Sequence, residues 1–489
     1  MTDGLDNGVP LSPYTAGANG RRLKLWRTPL AGPNAAGANG TTIVSRARHA
    51  ARNDPWFGAA LLRGGSNAIG TGIQAKPKWG TEVQKAEQKR LWDRWIPVAD
   101  ADGVLDWYGL QALAWNEWKE AGEVFVRLRA RRASDGLPVP LQLQLIESEQ
   151  CPRDYWSTAS NGNAIRAGIE FDAIGRRVAY WMTRSHPGDQ SLDLRGNELV
   201  RVPADQILHL YRPTRAGQYR GMPDAAAVLA LGFNIENLRD AVLERQKIAN
   251  LFTGWYVSDA SVPGDGGMLQ DMQTGIDADD TPLAGLEPGT MQELPPGMEP
   301  KFSEPPGPGQ DYAEFMRTSL MAYAARLGIP YEVLTGDLRN VSDRALRLIL
   351  NEFRRLIEMD VWLYLVPQFC QKVRAAWFDA AVLGGALDIA GYADIRAEVI
   401  DTLWVPQGWP YSHPVQDVDA DIKAIRGGLQ SRTGTILANG DDPEQIDAEQ
   451  VEDNARADAL GLKHDSDGRE AKRGANQAAK PPGEPTHEP

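Results

Sequence analysis

Only two cysteines, Cys151 and Cys370, occur in 489 residues, so no disulfide framework holds this chain together and a reducing compartment suits it. No apolar run approaches the about 18 residues that a bilayer span requires. The first residues, MTDGLDNGVPLSPY, lack the basic stretch and apolar stretch of a secretory leader. The phosphate-cradling G-x-x-x-x-G-K-[ST] loop is absent, and GGSNAIGTG has the wrong spacing for G-x-G-x-x-G. Neither G-x-S-x-G around Ser66 nor H-E-x-x-H occurs, so no esterase-type nucleophile or zinc-peptidase helix is signalled. The six histidines, at 49, 186, 209, 413, 464 and 487, are scattered without ligand spacing. Asp417, Asp419 and Asp421 could bind Mg²⁺, but charge at that spacing is also what a solvated helix face carries. Cys370 lies in an apolar helical context that suits a small buried side chain better than a nucleophile. Enzyme chemistry, a cofactor and a metal site therefore have no support in the sequence.

Positive charge is also scarce. The formal net charge is -13, and residues 441–470 alone hold eleven Asp/Glu against three Lys/Arg. Phosphate affinity comes mainly from Lys and Arg, so this balance argues against a protein that grips DNA, though not against one that lets DNA pass. Against it stands a basic, helix-patterned stretch, RARHAARNDPWFGAALLRGGSNAIGTG, from Arg46 to Gly72. Such a helix suits nucleic acid, a membrane surface or an ordinary place in a larger assembly.

What is present is a long, mostly foldable chain: 42% apolar and 24% charged, with 49 Gly and 33 Pro marking many turns. Its length implies roughly two to four subdomains. Residues 1–40 are rich in Gly, Ala, Asn and Pro and read as a mobile arm. From Thr41 the pattern turns helical. Asn53-Asp54-Pro55 then offers a cap and a first-turn proline for a second helix, which GGSNAIGTG is expected to end. Trp92, Trp95, Trp107, Trp115 and Trp118 form a cluster that fits a core or a subunit contact better than sugar stacking. Val124, Val126 and Leu128 alternate and are answered by Leu141, Leu143 and Leu145 across Asp135-Gly136, a hairpin pattern that GIEFDAIGRRVAYWMT repeats around Asp172 to Gly175. These hairpins place a mixed α+β domain over roughly 46–222.

Beyond it the period changes. Val228, Leu231, Ile235, Leu238 and Val242 form one helical stripe, and Tyr312, Phe315/Met316, Leu320, Tyr323 and Leu327 form another. Between them 258–308 lose periodicity, so an antiparallel helix pair that projects an insert is expected. GIPYEVLTGDLRNVSD reads as a polar loop. Ser342 or Asp343 can cap a third long helix through Leu346, Phe353 and Tyr364, with a kink at Pro367. Short helices follow, including 415–427 and 443–460, and the last residues read as a disordered tail.

The stretches RARHAARNDPWFGAAL and NAIGTGI (46–73), GIEFDAIGRRVAYWMTRSHPGD (168–189), VPADQILHLYRPTRAGQYRGMPDAAAVL (202–229) and GIPYEVLTGDLRNVSDRA (328–345) together resemble the portal proteins of tailed double-stranded DNA phages, in the lambda-type family. The resemblance covers roughly 40–440. One departure is Asn340-Val341-Ser342-Asp343, where the family commonly has Asn-Tyr-Ser-Ser. The resemblance implies a portal fold assembled as a dodecameric ring in the virion, at one capsid vertex, made in the host cytoplasm, with no membrane partner and no enzymatic activity. It implies an N-terminal arm over 1–45, a mixed α/β wing over 46–222, stem helices at 223–252 and 309–329, and a clip over 253–308. A tunnel loop would span 330–345, a long wing helix 346–382, the wing end and helical crown 383–460, and a tail 461–489. The implied partners are passing double-stranded DNA without sequence specificity, the terminase large subunit, the head–tail adaptor, and the major capsid and scaffold proteins.

On that reading Thr335, Gly336, Asp337, Leu338, Arg339 and Asn340 of the tunnel loop face the DNA, or form a plain surface turn with Arg339 paired to a neighbouring carboxylate. Asp311, Glu314 and Arg317 are channel-facing candidates of the stem. Arg46, Arg48, Arg52 and Arg63 are candidates for an inter-subunit face, or for a capsid contact. The competing readings are a non-ring minor capsid or head-assembly interaction protein and a capsid-associated nuclease or hydrolase.

Overall fold

The protein is described by a computed structural model covering residues 32–35, 39–189, 198–250, 311–339, 341–411, 413–462 and 464, with backbone alone for 248–250 and for four short strands between 254 and 302. In chain order the elements begin with α1 (Gly40–Asn53), α2 (Pro55–Ala68), β1 (Gln74–Pro77), α3 (Glu82–Trp95) and α4 (Trp107–Ala121). Eight strands follow: β2 (Glu123–Ala130), β3 (Leu141–Ile146), β4 (Ser157–Thr158), β5 (Ala164–Arg166), β6 (Ile169–Phe171), β7 (Arg177–Thr183), β8 (Leu199–Pro203) and β9 (Ile207–Tyr211). Then come α5 (Leu229–Asn250), β10 (Gly254–Ser258), β11 (Gly275–Ile276), β12 (Pro282–Leu283), β13 (Met298–Phe302), α6 (Tyr312–Leu327) and α7 (Tyr331–Thr335). The last elements are α8 (Asp343–Asp360), a π-helical stretch (Val361–Cys370), α9 (Gln371–Leu383), α10 (Tyr392–Val399), β14 (Thr402–Val405), α11 (Pro414–Arg426), α12 (Arg432–Ala438) and α13 (Pro443–Leu460).

The chain divides into two units, the first made of Met1–Arg63, Lys119–Gly122 and Gly221–Val341. Its organising residue is Asp54. The Oδ1 atom accepts the backbone N–H groups of Trp56 at 2.8 Å and Phe57 at 3.3 Å, capping α2 in the expected way. The other carboxylate oxygen accepts the Tyr323 hydroxyl at 2.7 Å, which ties the α1–α2 junction to α6. Gly232, early in α5, lies against Tyr323, late in α6, as an antiparallel pair requires. This buried bond groups residues 46–63 with the two long helices, whereas the sequence pattern placed them with the hairpins. In addition, α1 begins at Gly40, inside the stretch read as an arm. Within the insert β10 pairs antiparallel with β13, and β11 with β12. The rest of the insert, most of the arm and nearly all of the tail lie outside the described residues.

The second unit holds Gly64–Trp118, Glu123–Arg220 and Ser342–Pro489. Alternation delivers both expected hairpins: Val126 faces Leu145 and Leu128 faces Leu143 across β2–β3, while β6–β7 closes with a bulge at Glu170/Phe171. Strand β9 completes the order β3-β2-β9, and a second sheet runs β4-β5-β6-β7-β8. Phe125, Ile146, Ile169, Tyr180, Met182 and Val202 pack in one core cluster with the fully buried Cys151. The second core is aromatic. Trp92, Trp95, Trp107, Trp115 and Trp118 are all buried, so they are core residues as expected. Trp92 meets Trp95 at 4.8 Å and Trp377 at 5.2 Å, and Trp107 meets Phe369 at 5.1 Å. Arg374 is buried among them, its guanidinium 4.4 Å from the rings of Trp92 and Trp377 and 4.5 Å from that of Phe378.

Three local expectations take a more definite form. GGSNAIGTG does end α2, but only at Ala68, after the helix has run through Gly64 and Gly65. A Cβ on Gly65 would stand 3.0 Å from Asn116 Oδ1 and one on Gly64 3.7 Å from Trp115, so these glycines admit close helix packing instead of breaking the helix. Pro367, where a kink is expected, sits inside the π-helical stretch, a local widening of the kind at which helices bend. The 330–345 segment is not all loop, because α7 occupies Tyr331–Thr335 and buries Leu334.

Candidate functional site

Pro330 fixes the backbone at the entry to α7, and Gly336 ends that helix in the left-handed region, at φ +73. Thr335 Oγ1 donates to the Tyr331 carbonyl at 2.8 Å and accepts the Asp337 N–H at 3.2 Å. Asp337 then grips Arg339 as a two-pronged ion pair, with Nε to Oδ1 and Nη2 to Oδ2 both at 2.8 Å. The Tyr331 hydroxyl donates to Asp337 Oδ2 at 3.2 Å. Arg339 holds the Asp337 carboxyl well below the usual carboxylate range and is itself raised by it. Leu338 and Arg339 project outward, the arginine with 84% of its side chain exposed. Asn340 lies outside the described residues. Ser342 accepts the Ala345 N–H at 3.2 Å and caps α8, the first of its two expected candidates.

Of the three stem candidates, Asp311 and Glu314 are exposed, while Arg317 lies 5.8 Å over the Tyr331 ring. Arg317, Tyr331, Asp337 and Arg339 thus form one relay from α6 into the turn. The four arginines of the basic stretch do not share a face. Arg46 and Arg52 are exposed, whereas Arg48 is buried and paired with Glu120 at 3.3 Å, and Arg63 is half-buried. Arg48 thus meets a carboxylate of its own chain, whereas Arg46 and Arg52 present their charge to solvent.

The acidic trio is engaged locally. Asp417 accepts the His413 N–H, Asp419 meets Lys423 at 3.3 Å, and Asp421 accepts from Tyr411 and Gln430. Among the described residues one His/carboxylate group has metal-ligand spacing: Glu147, Glu149 and His186. Its imidazole Nδ1 accepts the Gly188 N–H at 3.0 Å, which leaves the proton of a neutral ring on Nε2, 3.1 Å from Glu147. A metal would need that nitrogen bare, so the group reads as a carboxylate–imidazole pair.

Sequence reasoning missed the buried ionic network of the second unit. Glu123, on β2, accepts from Arg153 Nη2 at 2.7 Å, Ser148 Oγ at 2.7 Å and the Arg220 fork at 2.5–3.1 Å, with His209 Nε2 at 3.0 Å. Burial works against the Glu123 charge, and the two arginines together with His209 overcome it, holding its pKa well below normal. Burial pushes His209 down to about 4, and Arg177 beside Nδ1 favours the neutral ring. Burial raises the Cys151 thiol to about 11 and Cys370 further, so neither is poised as a nucleophile. A second centre, Glu170, binds Arg201 through both oxygens, at 2.7 and 3.0 Å, and also accepts from Asn161 and Asn163. Only the alternation of β2, which turns Glu123 inward with Phe125 at 0% exposure, hinted at the first centre.

The arrangement is one of positioned loops and internal ion pairs rather than convergent reactive groups. The family model described as phage portal protein, lambda family, matches residues 19–360. The chain belongs to that family. As a phage portal protein it is a virion component. It is 29% identical over 327 residues to the probable portal protein of Halomonas phage phiHAP-1, a match covering 65% of this chain and 61% of that relative. It is 20% identical over 507 residues to portal protein B of Escherichia phage lambda, across 94% of this chain and 93% of that one. Among solved structures, a chain of the virion of a native gene transfer agent particle has a TM-score of 0.45 at 15% identity, covering 82% of this chain and 93% of that chain. An HK97 family phage portal protein from Corynebacterium diphtheriae has a TM-score of 0.27 at 10% identity, covering 60% and 80%.

Proposed function

We propose that this portal protein assembles as a closed ring of twelve copies at one capsid vertex and is the passage for double-stranded DNA during packaging and ejection. The ring docks the terminase large subunit and later the head–tail adaptor, and it meets the capsid and scaffold proteins during head assembly. The observation that carries this reading is the family match over residues 19–360. In the same reading α5 and α6 are the stem, the 253–308 insert is the clip, 330–345 is the tunnel loop, and the helices after residue 383 close the wing and build the crown. The protein acts as a conduit without catalysis of its own.

The tunnel-loop geometry supports a light touch on DNA. A channel making about 6–10 phosphate contacts would bind the duplex tightly and resist sliding. Here the exposed Arg339 is already paired through both prongs, so a phosphate competes with Asp337 for it. Native mass and negative-stain images of the purified chain test the reading. Rings with a central opening wide enough for a duplex are expected; a stable monomer or dimer, even with capsid and scaffold proteins present, overturns it.

A further inference from the structure

The helix running from Asp343 through Cys370 is buried on one side only. Phe353, Ile357, Val361, Leu365 and Phe369 point into the second unit. The opposite side carries Leu348, Met359, Trp362 and Leu363, exposed at 65, 38, 44 and 60%. Trp362 also edges an apolar groove of about 350 Å³, lined by Val361, Trp404, Val405 and Trp409 among others. Arg344 and Arg355 stand exposed on this same side, Arg355 only loosely paired with Glu352 at 4.0 Å.

The C-terminal helix α13 has the opposite character. Its 18 residues include none that is buried. Ala448, Val451, Ala455 and Ala459 recur at steps of three and four, a smooth stripe bordered by Glu444 and Glu452. Its entry is tied to its own unit: Asp442 meets Lys76 at 3.2 Å and Lys89 at 3.5 Å, and Asp447 meets Arg432 at 2.6 Å. Beyond it the stripe Val451, Ala455 and Ala459 stands exposed. Most helical stability comes from packing a face against another surface, which these turns do not find within their own copy.

The two faces are complementary. Bulky side chains with two arginines stand on one, and small side chains with two glutamates stand on the other, which permits close helix approach with opposite charges aligned. We propose that the Leu348–Leu363 face of one copy is the docking surface for α13 of a second copy of this chain. The proposal rests on the ring reading and adds which surfaces make the repeating contact.

Cysteine cross-linking tests it, with little background because Cys151 and Cys370 are fully buried. Full-length Met359→Cys protein is mixed with Val451→Cys or Ala455→Cys protein, assembled and briefly oxidised. Covalent dimers are expected in the mixtures and not in either protein alone. Intact rings without cross-links in any mixture overturn this contact and leave the ring reading standing. Cross-linked dimers without closed rings retain the contact and remove the ring. A second arm uses charge. Arg344→Glu with Arg355→Glu is expected to lower the ring fraction by about tenfold. Adding Glu444→Arg and Glu452→Arg in the same chain restores it. Unchanged assembly of the first variant, or no restoration by the second, overturns the proposal.

Discussion

The hairpin-and-tryptophan part of the second unit and its last three helices are built on opposite terms. In the former, Trp95, Trp107, Phe125 and Glu123 are at 0% exposure, and the Glu123 charge is met inside by Arg153 and Arg220. In the latter, α11, α12 and α13 contain no buried residue, and Val415, Val451 and Leu460 are exposed at 83, 67 and 67%. The first part carries its own stability. The second has regular helices without a core, held at the entry to α13 by surface ion pairs such as Asp442 with Lys76 and Lys89.

The comparison is broken most forcefully at Glu123. Glu123→Ala strands Arg153, Arg220 and His209 in the interior and is expected to cost about 3–5 kcal/mol, read as a large fall in thermal midpoint or as insoluble protein. A variant as stable as the parent would mean the network is not sustained in solution. Trp107→Ala should cost about as much, about 3–5 kcal/mol in chemical denaturation, because it removes contacts to Trp92, Trp95 and Phe369 at once.

Acidification acts on the same region with a definite sign. His209 is held neutral when folded, with its pKa lowered to about 4, so below pH 6.5 the unfolded chain binds a proton that the folded chain refuses. Its contribution is fully present above pH 6.5 and is lost as pH falls toward 4, with a slope approaching about 1.4 kcal/mol per pH unit. Glu123, depressed when folded, loses stability in the same direction at lower pH. Unfolding curves between pH 7 and 4.5 should show this, and His209→Gln should flatten them. Ser342→Ala, which removes the α8 cap, is expected to cost about 1 kcal/mol by the same measurement. The smallest effect belongs to the bare region. Val451→Ser should change the stability of the dissociated chain by less than about 0.5 kcal/mol, and a larger loss would mean that α13 is covered within its own copy.

Much of the local structure was legible because it depends on neighbours in sequence. Alternation over 124–128 and 141–145 announced the β2–β3 hairpin, Asp54-Pro55 announced a helix start, and the tryptophan spacing announced a core. The portal resemblance was carried by the order of stretches spread along the chain, none of which is a reactive motif. Within the candidate loop Arg339 pairs with Asp337, a neighbouring carboxylate two residues away that the sequence already offered. What escaped the sequence depends on residues far apart. Strand β1 pairs with β14, Gln74 opposite Val405, and nothing in either four-residue segment names its partner. Glu123 gathers side chains from positions 148, 153, 209 and 220, and no spacing rule connects them.

By itself, then, the sequence determined which segments form the long helices and the hairpins, which side of each is apolar, and that no reactive constellation is signalled, because these are matters of local backbone preference and period. The tertiary structure alone decided which charges are buried together, that Arg48 is spent within its own chain while Arg46 and Arg52 remain exposed, and that α8 and α13 keep uncovered faces. Burial and desolvation are properties of what surrounds a side chain, and a linear pattern holds no record of its surroundings.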